Sequence, residues 1–168
     1  MTTEQKQFVA HIRSTKPTRP EASGYDLRML NHRDGSSYRD VFDVLKDDKS
    51  LGIVIKFPKR RRKGNIMHSL YEVQAVQRMH KDPKLLALKR YAPTILFNEP
   101  NTGVIVMPKY KPVRNSEFFE GFLQTFERML DDLIPERFFE FDGASRNFGI
   151  NSRSSYVLLD AGLLGEVK

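Results

Sequence analysis

Asp142-Gly143-Ala144-Ser145-Arg146-Asn147 is followed by Phe148-Gly149-Ile150, and a short way on the chain reads Leu158-Leu159-Asp160-Ala161-Gly162. Residues 148–150 and 156–159 carry the apolar and aromatic side chains of short strands, and residues 151–154 carry turn chemistry between them. The stretch therefore predicts a small hairpin set between an Asp/Asn pair and a second Asp. Asp and Asn beside a turn often do no more than cap backbone groups. Here the order of the pieces, rather than any one of them, decides how the rest of the chain is read.

Working back from that hairpin, Asn115 or Ser116 is a plausible N-cap for a helix reaching about residue 133. Phe119, Phe122, Leu123, Phe126, Met129, Leu130 and Leu133 form its apolar stripe. Before it, residues 94–97 and 103–107 read as a strand pair around Glu99-Pro100-Asn101-Thr102, and residues 84–91 as a short helical turn. Ile66, Leu70, Val73 and Val76 follow helical spacing in a helix from about Asn65 to His80. Residues 38–45 and 52–57 read as strands joined by the polar turn Lys46-Asp47-Asp48-Lys49, the second ended by Pro58. Residues 1–24 show little periodicity and read as an N-terminal arm with one short helix near 4–12. Hairpin, helix, hairpin, helix, loop, hairpin is an α+β pattern with antiparallel pairing, not alternating βαβ.

With 168 residues, 39% of them hydrophobic and 12 of them Phe, the chain suits one domain. No apolar run approaches the roughly 20 residues that cross a bilayer, and residues 1–13 lack the apolar stretch of a signal peptide. No membrane association and a cytoplasmic location are therefore expected. Cysteine is absent, which excludes disulfides and thiolate metal sites. The four His residues, at positions 11, 32, 68 and 80, show no metal-ligand spacing. A net charge of +7 fits either a solvated basic surface or a negatively charged partner: nucleotide, nucleic acid or acidic protein.

Four local features recur in a fixed order. They are Gly35-Ser36-Ser37-Tyr38-Arg39-Asp40-Val41, Val54-Ile55-Lys56, a mid-helix Glu72, and the Asp142–Asn147 and Asp160-Ala161-Gly162 pieces quoted above. In this order they resemble the protein-kinase family, with its Gly-rich loop, Val-Ala-Ile-Lys strand, helix Glu, Asp-to-Asn catalytic loop and Asp-Phe-Gly. Val106-Met107-Pro108-Lys109-Tyr110 looks like the end of the fifth strand and the hinge. The resemblance covers residues 29–162 and looks closest to the very small Ser/Thr kinases of bacteriophages and bacteria. It implies an N-lobe over about 25–110 and a reduced C-lobe over about 111–168: one long helix, a catalytic loop and a short hairpin.

The resemblance implies ATP and magnesium as cofactors. Lys56 would meet the α and β phosphates as a point charge, and Glu72 would pair with Lys56 and fix its direction. Asn147 and Asp160 would hold magnesium through oxygen, and Asp142 would accept the proton of an attacking hydroxyl. Gly35, Ser36 and Ser37 would bring backbone amides to phosphate oxygens. Val41, Met107, Lys109 and Tyr110 would complete the nucleotide site. Together these groups would run transfer of the γ-phosphate to Ser or Thr of a protein by positioning and electrostatics.

Departures from the family shape two further expectations. Glu140-Phe141 stands where the family has His-Arg, Arg39 where its last loop Gly falls, and Ala144 where it has Lys. Only residues 161–168 follow Asp160, so neither an activation segment nor a large helical C-terminal lobe is expected. A catalytically weak or inactive kinase-like module that inhibits a partner is the first alternative function. The basic run Lys59-Arg60-Arg61-Arg62-Lys63 reads as a solvated loop, or as a docking patch for an acidic protein or nucleic acid. Nucleic-acid binding through residues 59–63 is thus the second alternative, although no interleaved aromatics supply a base-stacking surface.

Overall fold

A computed structural model describes residues 1–18, 22–30, 39–59, 63–134 and 143–160. The fold is α+β, with antiparallel sheets and several helices. Two compact units divide the chain: Met1–Leu70 with Thr94–Lys109, and Tyr71–Pro93 with Tyr110–Lys168.

The first unit is built on a five-stranded antiparallel sheet. Its strands are β1 (Asp26–Met29), β2 (Arg39–Lys46), β3 (Lys49–Pro58), β4 (Phe97–Glu99) and β5 (Val104–Pro108), in spatial order β1-β2-β3-β5-β4. The β2–β3 turn falls on the polar quartet. Lys46 pairs with Lys49, and Asp47 and Asp48 take φ of 51° and 61°, the left-handed geometry that lets a two-residue loop follow the strand twist. Successive side chains alternate between faces. Phe42, Val44, Ile53, Ile55, Phe57, Val104 and Val106 form one buried face.

That face is covered by helix α1 (Thr3–Thr15), whose Phe8, Val9 and Ile12 belong to the same core. The stretch read as an arm therefore carries a core helix. Its start is a capping box: Thr2 accepts from the Gln5 amide at 3.2 Å, and the Gln5 side chain accepts from the Thr2 amide at 2.9 Å. Its end is Lys16 at φ 45°, whose ammonium lies 3.8 Å from Glu99 at the close of β4. Two strands depart from expectation. β1 has four residues with only Leu27 partly buried, too few for an alternation signal. β4 sits at 97–99 rather than 94–97, because the hairpin register follows the turn, where Gly103 takes φ +69°.

Helix α2 (Lys63–Lys81) begins two residues before Asn65. Asn65 is therefore no N-cap; its side-chain amide donates back to the Lys59 carbonyl.

The second unit packs helix α3 (Glu117–Leu133) and a 3-10 helix (Pro83–Tyr91) with a three-stranded sheet. That sheet orders β6 (Lys111–Pro112), β7 (Phe148–Ile150) and β8 (Tyr156–Leu158). Ser116 caps α3 by accepting from the Phe119 amide at 3.3 Å. The apolar stripe of α3 delivers Phe119, Phe122 and Phe126 onto Phe148, each ring 5.5 Å from it. Phe122 also stacks on Tyr156 at 4.2 Å, so the aromatic cluster holds the hairpin from both strands. β6 escaped sequence reading because it is two residues long and contains a proline.

Candidate functional site

In the first unit three of the residues expected at a nucleotide site, Val41, Lys56 and Met107, lie on one face of the sheet. Lys56 is paired directly with Val41 on β2 and Ile105 on β5, and two residues along the same face Val54 pairs with Met107. This is the face opposite the α1 core. Met107 is 1% exposed, Ile105 is fully buried and Lys56 is 6% exposed. A lysine so placed is unusual, because a strand lysine normally extends its ammonium into water. Its β3 position follows from the Ile53-Val54-Ile55 run that makes the strand central.

Lys109 is differently employed from the expectation. Its ammonium lies 2.6 Å from Asp43 Oδ2, and its backbone amide donates to the Gly52 carbonyl at 2.9 Å. Arg28 Nη2 reaches the same carboxylate oxygen at 2.7 Å, and the Ser50 hydroxyl donates to Oδ1 at 2.7 Å. Asp43 is fully buried and collects donors from β1, β3 and the end of β5. Burial pushes its carboxyl up, but the hydrogen bonds from Lys109, Ser50 and Arg28, with the Lys109 charge, outweigh that and hold it below the usual 3.8. Asp43 went unnoticed in the sequence, where it is one polar residue among the alternating residues of β2. Its only signal was an acid at a position whose strand neighbours are buried.

In the second unit Glu72 lies on α2 and is fully buried. Neither Lys56 nor Glu72 is without a partner. Asn147 and Asp160 stand at the same, open end of the β7–β8 hairpin. Phe148 pairs with Leu158, and beyond that pair the Leu159 amide donates to the Asn147 carbonyl at 2.7 Å. An amide oxygen and a carboxylate at one hairpin end are oxygen ligands of the kind a hard cation takes. Among the described residues no three His, Cys, Asp or Glu gather as a metal cluster.

Tyr110 is held against β7 by a close approach. A Cβ on Gly149 would come 2.5 Å from Tyr110 Cβ, so only glycine allows this spacing. Gly143, next to Asp142, rests on α3; a Cβ there would meet both Leu123 methyls at 2.8 Å. Gly35, Ser36, Ser37, Asp142 and the arginines at 60–62 lie outside the described residues.

Comparison with known proteins finds no matching family model, and no curated protein matches the chain. No helix among the described residues is long and apolar enough to cross a membrane.

Proposed function

We propose that this protein is a small kinase-like phosphotransferase that binds ATP with magnesium and passes the γ-phosphate to a Ser or Thr hydroxyl of a protein. The observation that carries the proposal is Lys56, a lysine only 6% exposed on a sheet face, directly opposite Val41 and two residues along from Val54, which pairs with Met107. Burying a charge is costly, and perturbed buried ionisable groups cluster at functional sites.

In this reading Lys56 holds the α and β phosphates, and Glu72, itself buried, sets the direction of the ammonium. Val41 and Met107 give the nucleotide base an apolar seat. Asn147 and Asp160 hold magnesium, which supplies charge neutralisation along the phosphates. Asp142 accepts the proton from the attacking hydroxyl. Tyr110, fixed by Gly149, lines the approach, whereas Lys109 contributes backbone only, since its side chain serves Asp43.

A thermal-shift titration with magnesium-ATP tests the binding step. A ligand at 100 times its dissociation constant adds about 2.7 kcal/mol of stability. Wild type is expected to show a saturable rise in Tm that Lys56→Met abolishes. Label transfer from γ-labelled ATP, lost in Asp142→Ala, tests the chemistry. A wild-type Tm indifferent to magnesium-ATP overturns the proposal.

A further inference from the structure

Lys56 shares its face of the sheet with a second buried cation. Arg39, which stands where the resemblance expects a glycine, opens β2 at 7% exposure and pairs with Pro58, two residues beyond Lys56 on β3. Residues two apart on a strand share a face, and a diagonal pair on neighbouring strands lies about 7–8 Å apart, within reach of long side chains. Arg39 and Lys56 are such a pair. The buried carboxylate of the same face, Asp43, is already taken by Lys109, Arg28 and Ser50. Like charges buried side by side repel, and each also carries a desolvation cost. Both cations have partners elsewhere, yet Arg39 Nη1 is buried and makes no hydrogen bond. Even with Glu72 assigned to Lys56, one positive charge of the pair remains for an anion.

We infer that Arg39 and Lys56 together seat a polyphosphate chain, with Arg39 as a second phosphate-binding cation. The planar fork of a guanidinium takes two oxygens of one phosphate, and the ammonium takes a neighbouring phosphate as a point charge. A multiply charged anion between the two offsets the repulsion that a monovalent one leaves. The side chain of Arg39 thereby supplies donors at a position where a glycine offers only its backbone amide. That the chain belongs to ATP rests on the phosphotransfer reading; the joint grip of the two cations does not.

The test is calorimetric titration with inorganic tripolyphosphate and, separately, with magnesium-ATP. Arg39→Met is expected to weaken tripolyphosphate binding by about tenfold or more, the loss of hydrogen bonds to a charged group. Lys6→Met removes the same charge from an exposed position of α1, which covers the opposite face of the sheet. It is expected to weaken binding by less than about twofold, because exposed charges are screened. Should Arg39→Met fail to fold, the wild type carries the test. The Nε–H resonance of Arg39, assigned by its loss in Arg39→Lys, is expected to shift as tripolyphosphate saturates the protein. A resonance unmoved at saturation overturns the inference. So does equal weakening by Arg39→Met and Lys6→Met, since net charge then explains binding, and so does an absence of saturable tripolyphosphate binding. If Arg39→Met binds magnesium-ATP like wild type while Lys56→Met does not, the inference fails and the nucleotide reading stands. Tripolyphosphate binding that needs Arg39, in a protein indifferent to magnesium-ATP, keeps the seat and overturns the nucleotide reading.

Discussion

Lys109 Nζ sits 2.6 Å from Asp43 Oδ2, joining the end of β5 to a carboxylate fully buried on β2. Arg28 reaches the same oxygen from β1, but its side chain is 62% exposed against 32% for Lys109. The two cations therefore differ in worth. An exposed pair contributes about 0–1 kcal/mol, whereas a hydrogen bond to a buried charge contributes about 1.5–3 kcal/mol. Urea denaturation at neutral pH is expected to show Lys109→Met losing about 2 kcal/mol and Arg28→Met under about 1 kcal/mol. The reverse order would mean that the β1 side holds the network.

The same carboxylate makes stability depend on acid. Asp43 titrates below 3.8 in the folded protein, so its contribution is fully present above the unfolded value and is lost as pH falls through the folded one. Wild type is expected to exceed Asp43→Asn in stability at neutral pH. The gap should narrow only below pH 3.8, the ordinary carboxyl value. A gap unchanged down to the acid unfolding limit would show that hydrogen-bond shape, not charge, is what Asp43 supplies.

Helix α1 is part of the first unit's core, and its removal should unfold that unit. Phe8 is fully buried and meets Tyr25 edge-to-face at 4.9 Å. Phe8→Ala is expected to cost about 3–5 kcal/mol, and deletion of residues 1–16 to broaden or abolish the cooperative melt. A truncated chain with an unchanged thermal transition would return the segment to the status of an arm.

The sequence shows why α1 was underrated. Only Phe8, Val9 and Ile12 are buried in thirteen residues, a stripe too thin to stand out, and their partners come from strands far along the chain. Where periodicity is dense, as in α3, or turn chemistry is explicit, as at Asp47-Asp48, element and position were both legible. Strands β1 and β6 were not, because short edge pieces are made by their neighbours' hydrogen bonds rather than by their own residues. The candidate site divides similarly. Lys56, Val41 and Met107 were singled out through the resemblance, and their common face rests on the register of three strands, Lys56 opposite Val41 and Val54 opposite Met107; the capture of Lys109 by Asp43 spans 66 residues and no local pattern encodes it.

Gly149 gives a steric prediction. An added methyl would lie 2.5 Å from Tyr110 Cβ and 3.1 Å from a Leu159 methyl, and the first contact is not the end of a flexible chain. Gly149→Ala is expected to cost about 1–3 kcal/mol by parting β6 from β7. It should weaken magnesium-ATP binding as well if Tyr110 lines that site. Wild-type stability in this variant would show that the β6–β7 pair can separate without cost.

The phosphotransfer reading requires Lys56 and Glu72 to work as a pair, and a double-mutant cycle can decide that. Removing one partner of a buried pair leaves an uncompensated charge at about 3–5 kcal/mol, while replacing both with apolar groups leaves none. Lys56→Met and Glu72→Leu are each expected to destabilise, and the double variant to recover at least about 1 kcal/mol of the summed loss. All three should be blind to magnesium-ATP in the thermal-shift titration. Additivity within about 0.5 kcal/mol would show that the two buried charges answer to different neighbours. Glu72 would then have no part in directing the ammonium.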